Sequence, residues 1–153
     1  MLINTSYTRK IDIRIRSWMQ KKSPLLLRWS VGIIFLWFGA LKFFHGASPA
    51  ESLAVDTIRL LTFGWFSDAF IINSLALWEV VVGLGLITGL FLREIILLLF
   101  LQMLGTLTPI FLFPDEVFVK IPFLLTLEGQ YIVKNLVLMS AGIAIGGSLK
   151  NPK

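Results

Sequence analysis

The chain has 153 residues, 56% of them hydrophobic and 15% charged, with a net charge of +5 and a mean hydropathy of +0.83. A typical soluble domain is about 45–50% apolar and about 25% charged, so this composition excludes a disordered chain and argues against a water-soluble monomer, while the length allows one domain. The lack of cysteine and the single histidine remove disulfides, thiolate metal sites and dithiol redox chemistry, and no metal site is expected.

The chain opens on a basic amphipathic segment, residues 1–24. Arg9, Lys10, Arg14, Arg16, Lys21 and Lys22, with Arg28 just beyond, oppose one acid, Asp12, and Ile11, Ile13, Ile15 and Trp18 lie among them. Such a segment either rests on an anionic membrane surface or forms a solvated basic tail that sets topology.

A membrane span needs about 20 mostly apolar residues. Four stretches meet or approach this, near Leu25–Phe44, Asn73–Leu92, Glu94–Phe113 and Gln130–Ser148. They predict an all-α, four-helix transmembrane bundle over residues 25–148, followed by a short basic tail, 149–153. Span one reads as a retained anchor, since Lys42 interrupts its apolar end and the basic region before it is too long for a cleaved signal.

Four spans place both termini and the short link at Arg93 on one side. That side holds the seven N-terminal cations, Arg93, Lys150 and Lys153, against Lys42, Arg59, Lys120 and Lys134 on the other. The positive-inside rule then puts the N- and C-termini in the cytoplasm. The net charge thus reads as membrane orientation, and no nucleic-acid partner is expected. The outer connection near His45–Ile72 carries Ile58, Leu60, Leu61, Phe63, Trp65 and Phe66. That is too apolar for a free loop and predicts an interfacial or re-entrant element after helix 1. A second outer connection runs near Pro114–Gly129.

An ionised side chain at mid-bilayer costs about 2.5–3.5 kcal/mol on insertion scales, so polar residues inside the spans demand an explanation. Lys42 sits near the outer end of span one. Glu79 lies roughly 9 Å down span two, and Lys134 and Asn135 roughly 6–8 Å down span four, at a 1.5 Å rise per residue. Gln102 and Thr106 share a face of span three, with Pro109 continuing it as either a tolerated kink or one that widens a pocket. Helical spacing groups Phe35, Phe38, Gly39, Lys42 and His45; Glu79, Gly83 and Leu86; and Tyr131, Asn135, Leu138 and Gly142. Turned inward, these faces give one polar pocket near the outer mouth. Gly85/Gly89 and Gly142/Gly146 have the spacing that lets helix backbones approach.

Two readings of the charges stand. In one, Glu79 pairs with Lys42 or Lys134, Glu128 helps balance the second lysine, and the charges only fix helix register. In the other, Glu79 is a proton acceptor, Lys42 and Lys134 bind an anion or carbonyl, and Gln102 and Asn135 donate hydrogen bonds to a polar or redox headgroup. His45 reads as an interfacial residue, and Trp37 and Trp78 as lipid-facing or packing residues.

The run Phe35-Leu-Trp-Phe-Gly-Ala-Leu-Lys42-Phe, the segment Leu77-Trp-Glu79-Val-Val-Val-Gly83-Leu and the run Thr126-Leu-Glu128-Gly-Gln-Tyr131-Ile-Val-Lys134-Asn135-Leu resemble the DoxX family of small bacterial membrane proteins, from about Arg28 to Gly147. The resemblance implies a four-helix domain in a bacterial inner membrane. Some relatives are associated with quinone-linked oxidation of sulfur compounds, others with complexes that handle oxidative or thiol stress. The dithiol step of similar membrane thiol oxidoreductases is not open to a chain without cysteine.

The expected ligand-binding residues are Lys42, Glu79, Gln102, Thr106, Glu128, Tyr131, Lys134 and Asn135. The expected ligand is a quinone or another small amphipathic molecule, handled within an oxidoreductase system; no catalytic residue is assigned. Expected partners are the lipid bilayer, an oxidoreductase subunit and a second copy of the chain. The alternatives are a non-enzymatic scaffold whose charges only lock helices and a small transporter subunit.

Overall fold

From Thr5 the basic segment runs into the first apolar stretch as a single helix, α1 (Thr5–Leu41). A computed structural model describes residues 5–44, 46–48 and 51–149; His45, Lys150 and Lys153 lie outside the described residues. At 1.5 Å per residue the 37 residues of α1 span about 55 Å, far more than the roughly 30 Å of a hydrocarbon core. Pro24 lies inside it and removes one backbone hydrogen bond, yet the helix continues through, so the boundary drawn at residue 24 marks a change of composition within one helix.

After α1 comes α2 (Glu51–Leu61), which buries Leu53, Val55 and Thr57. Helix α3 (Asp68–Thr88) begins five residues before the predicted span because the Ser67 hydroxyl accepts from the Phe70 N–H and Asp68 occupies the first turn, both favourable at a helix start. It ends at Gly89, whose φ of 83° forms a left-handed cap that suits glycine. Leu90 and Phe91, assigned by hydropathy to span two, form the turn into α4 (Leu92–Leu107).

Pro109 breaks the third span into α4 and α5 (Pro109–Leu112). The Gly105 carbonyl, which Pro109 cannot serve, accepts from the Thr108 N–H at 3.2 Å and from the Thr108 hydroxyl at 2.7 Å, the local compensation a proline in a span requires.

The connection near Pro114–Gly129 carries secondary structure of its own. It holds α6 (Pro114–Val117) and an antiparallel pair, β1 (Phe118–Lys120) and β2 (Leu124–Leu125), with Phe118 opposite Leu125 and Lys120 opposite Leu124. An all-α reading missed this ribbon. The Thr126 hydroxyl then donates to the Glu116 carbonyl at 2.6 Å and accepts from the Gly129 N–H at 3.1 Å. It thereby caps α7 (Leu127–Gly147) and ties it to α6.

The chain is mostly helical. Among the described residues, three stretches are long and apolar enough to cross a membrane: Thr8–Leu41, Asp68–Thr88 and Leu92–Leu112. Helix α7 equals α3 at 21 residues, but Glu128, Gln130, Lys134 and Asn135 in its first half lower its hydropathy below theirs. The core joins all four long helices through Val31, Phe35, Val82, Leu86, Leu99 and Ala141.

The most extensive helix–helix packing is between α1 and α3. A Cβ added at Gly83 would lie 2.5 Å from the Leu36 N and 2.8 Å from the Gly32 O, and one at Gly39 would lie 2.8 Å from the Glu79 Cβ. Two of these obstacles are backbone atoms, which cannot rotate away. Gly85 and Gly142, by contrast, meet side chains of α4 (Ile95; Leu99 and Phe100), and Gly89 is a cap, so the close backbone contact is not made by the glycine pairs that spacing singled out. Gly83→Ala is expected to lower stability by roughly 1–3 kcal/mol, the usual cost of overpacking. Gly105→Ala meets nothing within 4 Å and should leave stability unchanged or raise it by about 0.5–1 kcal/mol. Thermal unfolding in one detergent compares the two.

Candidate functional site

The contact of α1 with α3 at Gly39 sets two ionisable side chains against each other. Lys42, three residues on, places its Nζ 2.6 Å from Glu79 Oε2, with only 10% and 11% of the two side chains exposed. The other carboxylate oxygen, Oε1, accepts from Gln102 Nε2 at 2.7 Å. The turn that ends α1 is thus joined to α3 and α4 at one carboxylate. Charge-assisted bonds of this kind are roughly twice as strong as neutral ones, and pairing removes most of the penalty that either charge alone would carry in an apolar interior.

A second polar bridge joins α4 to α7. Asn135 Nδ2 donates to Thr106 Oγ1 at 3.0 Å, and that hydroxyl donates to the Met103 carbonyl at 2.9 Å. Thr106 lies one turn beyond Gln102, so the two bridges adjoin. Of the two lysines open to Glu79 in the sequence, Lys42 makes the pair. Lys134 instead lies over the Tyr131 ring, 4.5 Å from its centroid, within the range of a cation–π contact. Glu128 is half-buried on the same helix.

All eight residues line one cavity of about 890 Å³. Its remaining walls are mainly apolar, with Phe35 and Phe38 from α1, Trp78 from α3 and Leu138 from α7. Trp78 is anchored by its indole N–H, which donates to the Leu98 carbonyl at 3.2 Å; Trp37 is 66% exposed and outside the cavity. Among the lining residues, Ile34, Lys134 and Val137 are exposed, so the cavity reaches the outer surface of α1 and α7. Pro109 also lines it: the break between α4 and α5 falls at the cavity wall.

The sequence did not mark the part of this wall contributed by α2. Leu53, Ala54, Thr57, Ile58 and Leu61 close one side. Their i, i+4 and i+8 spacing is the available signal; the apolar content alone predicts an interfacial or re-entrant element without saying which residues face the bundle. Arg59 fastens α2 to α3, bonding Asp56 Oδ1 at 3.0 Å and Asp68 Oδ1 through Nε at 3.1 Å. The hydrogen bond to Asp68, and then that carboxylate's charge, hold the Arg59 pKa above its ordinary value. The Phe66 and Phe70 rings, stacked with centroids 4.9 Å apart, continue this wall.

The DoxX family model matches residues 23–114, more than half of the chain, including Lys42, Glu79, Gln102 and Thr106. The chain belongs to the DoxX family. No curated protein and no solved structure matches it. The DoxX match ends before α7, so Glu128, Tyr131, Lys134 and Asn135 fall outside it, although their run is among those that resemble the family in the sequence. In this DoxX protein the two sets of residues meet in space at the same cavity.

Removing one member of a buried ion pair strands the other. Lys42→Met is expected to destabilise the protein by about 3–5 kcal/mol, while Lys42→Met with Glu79→Leu should recover most of that loss. A double-mutant cycle on thermal or denaturant unfolding measures the coupling.

Proposed function

We propose that this DoxX protein is a four-span bacterial inner-membrane protein, with both termini in the cytoplasm, that binds a small amphipathic molecule of the quinone type within an oxidoreductase system. The observation that carries the reading is the convergence of Lys42, Glu79, Gln102, Thr106, Glu128, Tyr131, Lys134 and Asn135 from four helices on one apolar-walled cavity of about 890 Å³. Ligand sites are usually mostly apolar clefts of about 300–1,000 Å³ with a few convergent polar groups.

The Glu79 carboxylate is engaged on both oxygens, which fits a fixed polar floor for the site. Lys134, Tyr131 and Asn135 are the groups that meet the ligand head: a cation, a phenol and an amide beside one another on α7. Phe35, Phe38, Trp78 and Leu138 take its ring and tail. The exposed lining at Ile34 and Val137 supports entry from lipid. The network around Glu79 also favours a second reading, in which the polar cluster only locks the helices.

Mass spectrometry of lipids and quinones retained by the purified protein separates the two. The binding reading expects a ligand present in stoichiometric amount in wild type and largely lost from a Lys134→Met variant of unchanged melting temperature. Equal content in both favours the locking role. Topology has a direct test, since the chain has no cysteine background. Cysteine at Trp65 or Phe123, 85% and 92% exposed, should react with an impermeant maleimide from outside the cell, and cysteine at Leu90, 62% exposed, should not.

A further inference from the structure

Every side chain from Thr8 to Ser23 is exposed, and the apolar core first reaches α1 at Leu27 and Val31. The first part of α1 is therefore an arm that stands clear of the other helices, about 28 Å long from Thr5 to Ser23 at 1.5 Å per residue. Its faces are in register with those of the span. Residues eighteen apart are separated by about five full turns and so lie on the same side of an α-helix. Ile11 is in line with Trp29 and Ile15 with Ile33, and Trp29 and Ile33 are 46% and 56% exposed on the outside of the span. Lys10, by contrast, is in line with Arg28, which packs on Gly89 at the end of α3. Arg14 is in line with Gly32, and Lys21 with Gly39, both of which meet α3. The stripe Ile11, Ile15 and Trp18 thus extends the lipid-facing side of the span, while Lys10, Arg14 and Lys21, with Ile13 among them, extend the side turned to the bundle.

The arm's one acid, Asp12, is engaged by Arg16 at 3.0 Å, which leaves Arg9, Lys10, Arg14, Lys21 and Lys22 without an acidic partner among the described residues. A helix with cations along one side and Ile and Trp along the other suits the surface of an anionic bilayer. Lys22 falls on the apolar side but only a few residues from the span, where its long stem lets the ammonium reach headgroup level. Pro24 sets the direction in which the arm can fall. Its ring crowds the Gln20 carbonyl, which it cannot serve with an N–H, so a kink there opens the side that carries Pro24 and bends the helix toward the opposite side. Pro24 lies two turns before buried Val31 and hence on the bundle side. The opposite side carries Ile11 and Ile15, so the bend that proline favours lowers these residues onto the membrane. An acidic protein would serve the cations alone; the continuity of the apolar stripe with the lipid side of the span favours a bilayer.

We propose that residues 5–23 form a hinged arm that docks on an anionic phospholipid surface, bending at Pro24 so that Ile11, Ile15 and Trp18 enter the lipid while Lys10, Arg14 and Lys21 meet headgroup phosphates along one edge. The inference is independent of the ligand-site reading and needs only that α1 crosses the bilayer.

The test places a single nitroxide on the full-length protein, which has no cysteine of its own, through Ile15→Cys or Ser17→Cys; Ser17 is in line with buried Phe35 and so on the bundle side. Accessibility of the label to oxygen and to a water-soluble nickel chelate is read in nanodiscs of phosphatidylcholine with and without phosphatidylglycerol. With phosphatidylglycerol, the label at residue 15 should be open to oxygen and shielded from nickel, and the label at residue 17 open to nickel. Without it, the shielding at residue 15 should be largely lost. Each Lys or Arg near an anionic surface contributes roughly five-fold to binding. Arg14→Gln/Lys21→Gln, which alters only exposed side chains, should therefore lower the ratio of docked to free arm by roughly twenty-fold. A label at residue 15 open to nickel in both discs, as when the arm stands in water or serves an acidic protein, overturns the inference. Equal shielding of residue 15 in both discs, or like shielding of residues 15 and 17, overturns it as well.

Discussion

A lysine and a glutamate meet inside this bundle because a glycine lets two helices touch. Gly39 presses on the first carbon of the Glu79 side chain, and Gly83 lies against the α1 backbone at Gly32 and Leu36. Any larger residue at these points would move α1 away from α3 and draw the Lys42 ammonium from the carboxylate. Helices in lipid gain little from hydrophobic association, so small-residue contacts and interhelical polar bonds must supply their specificity. Here the two devices act at one place. Close backbone approach makes the ion pair geometrically possible, and the ion pair makes two charged residues tolerable in an apolar setting.

From that point the organisation spreads outward. Glu79 recruits Gln102 on α4, and one turn further along α4 Thr106 receives Asn135 of α7. The polar layer therefore crosses the bundle as two adjoining bridges, with an apolar core of Val82, Leu86 and Leu99 completing the long helices. The cavity lies where four helices carry polar groups at similar depth and α2 closes one side. A rigid arrangement of this kind presents a ligand with fixed hydrogen-bonding groups, which favours selectivity through preorganisation.

The bundle was legible in the sequence because its signals are long and one-dimensional: apolar stretches for helices, and polar residues where hydrocarbon should exclude them. The same cost argument picked out Lys42, Glu79, Gln102 and Asn135, which lie in the two bridges. Which lysine pairs with Glu79 was not legible, because both stand at similar depth and the choice depends on how closely α1 approaches α3. That approach runs through Gly32, Gly39 and Gly83, two of them seven residues apart on one helix, where the sequence drew attention to glycines four apart. The boundaries of α3 were set by Ser67 and Gly89, cap residues that a hydropathy pattern does not weigh. The β1–β2 ribbon is too short for an alternating pattern, and α2 contributes walls through a face visible only once its helical period is known.

The central claim is that Lys42 and Glu79 are in direct contact within the folded protein. Solid-state NMR in lipid bilayers measures this as the dipolar coupling between the ¹⁵N-labelled Lys42 ammonium and the ¹³C-labelled Glu79 carboxylate. A strong coupling that disappears when Gly39 is replaced by leucine is the predicted result. Its absence from folded wild-type protein would contradict the arrangement on which the cavity depends.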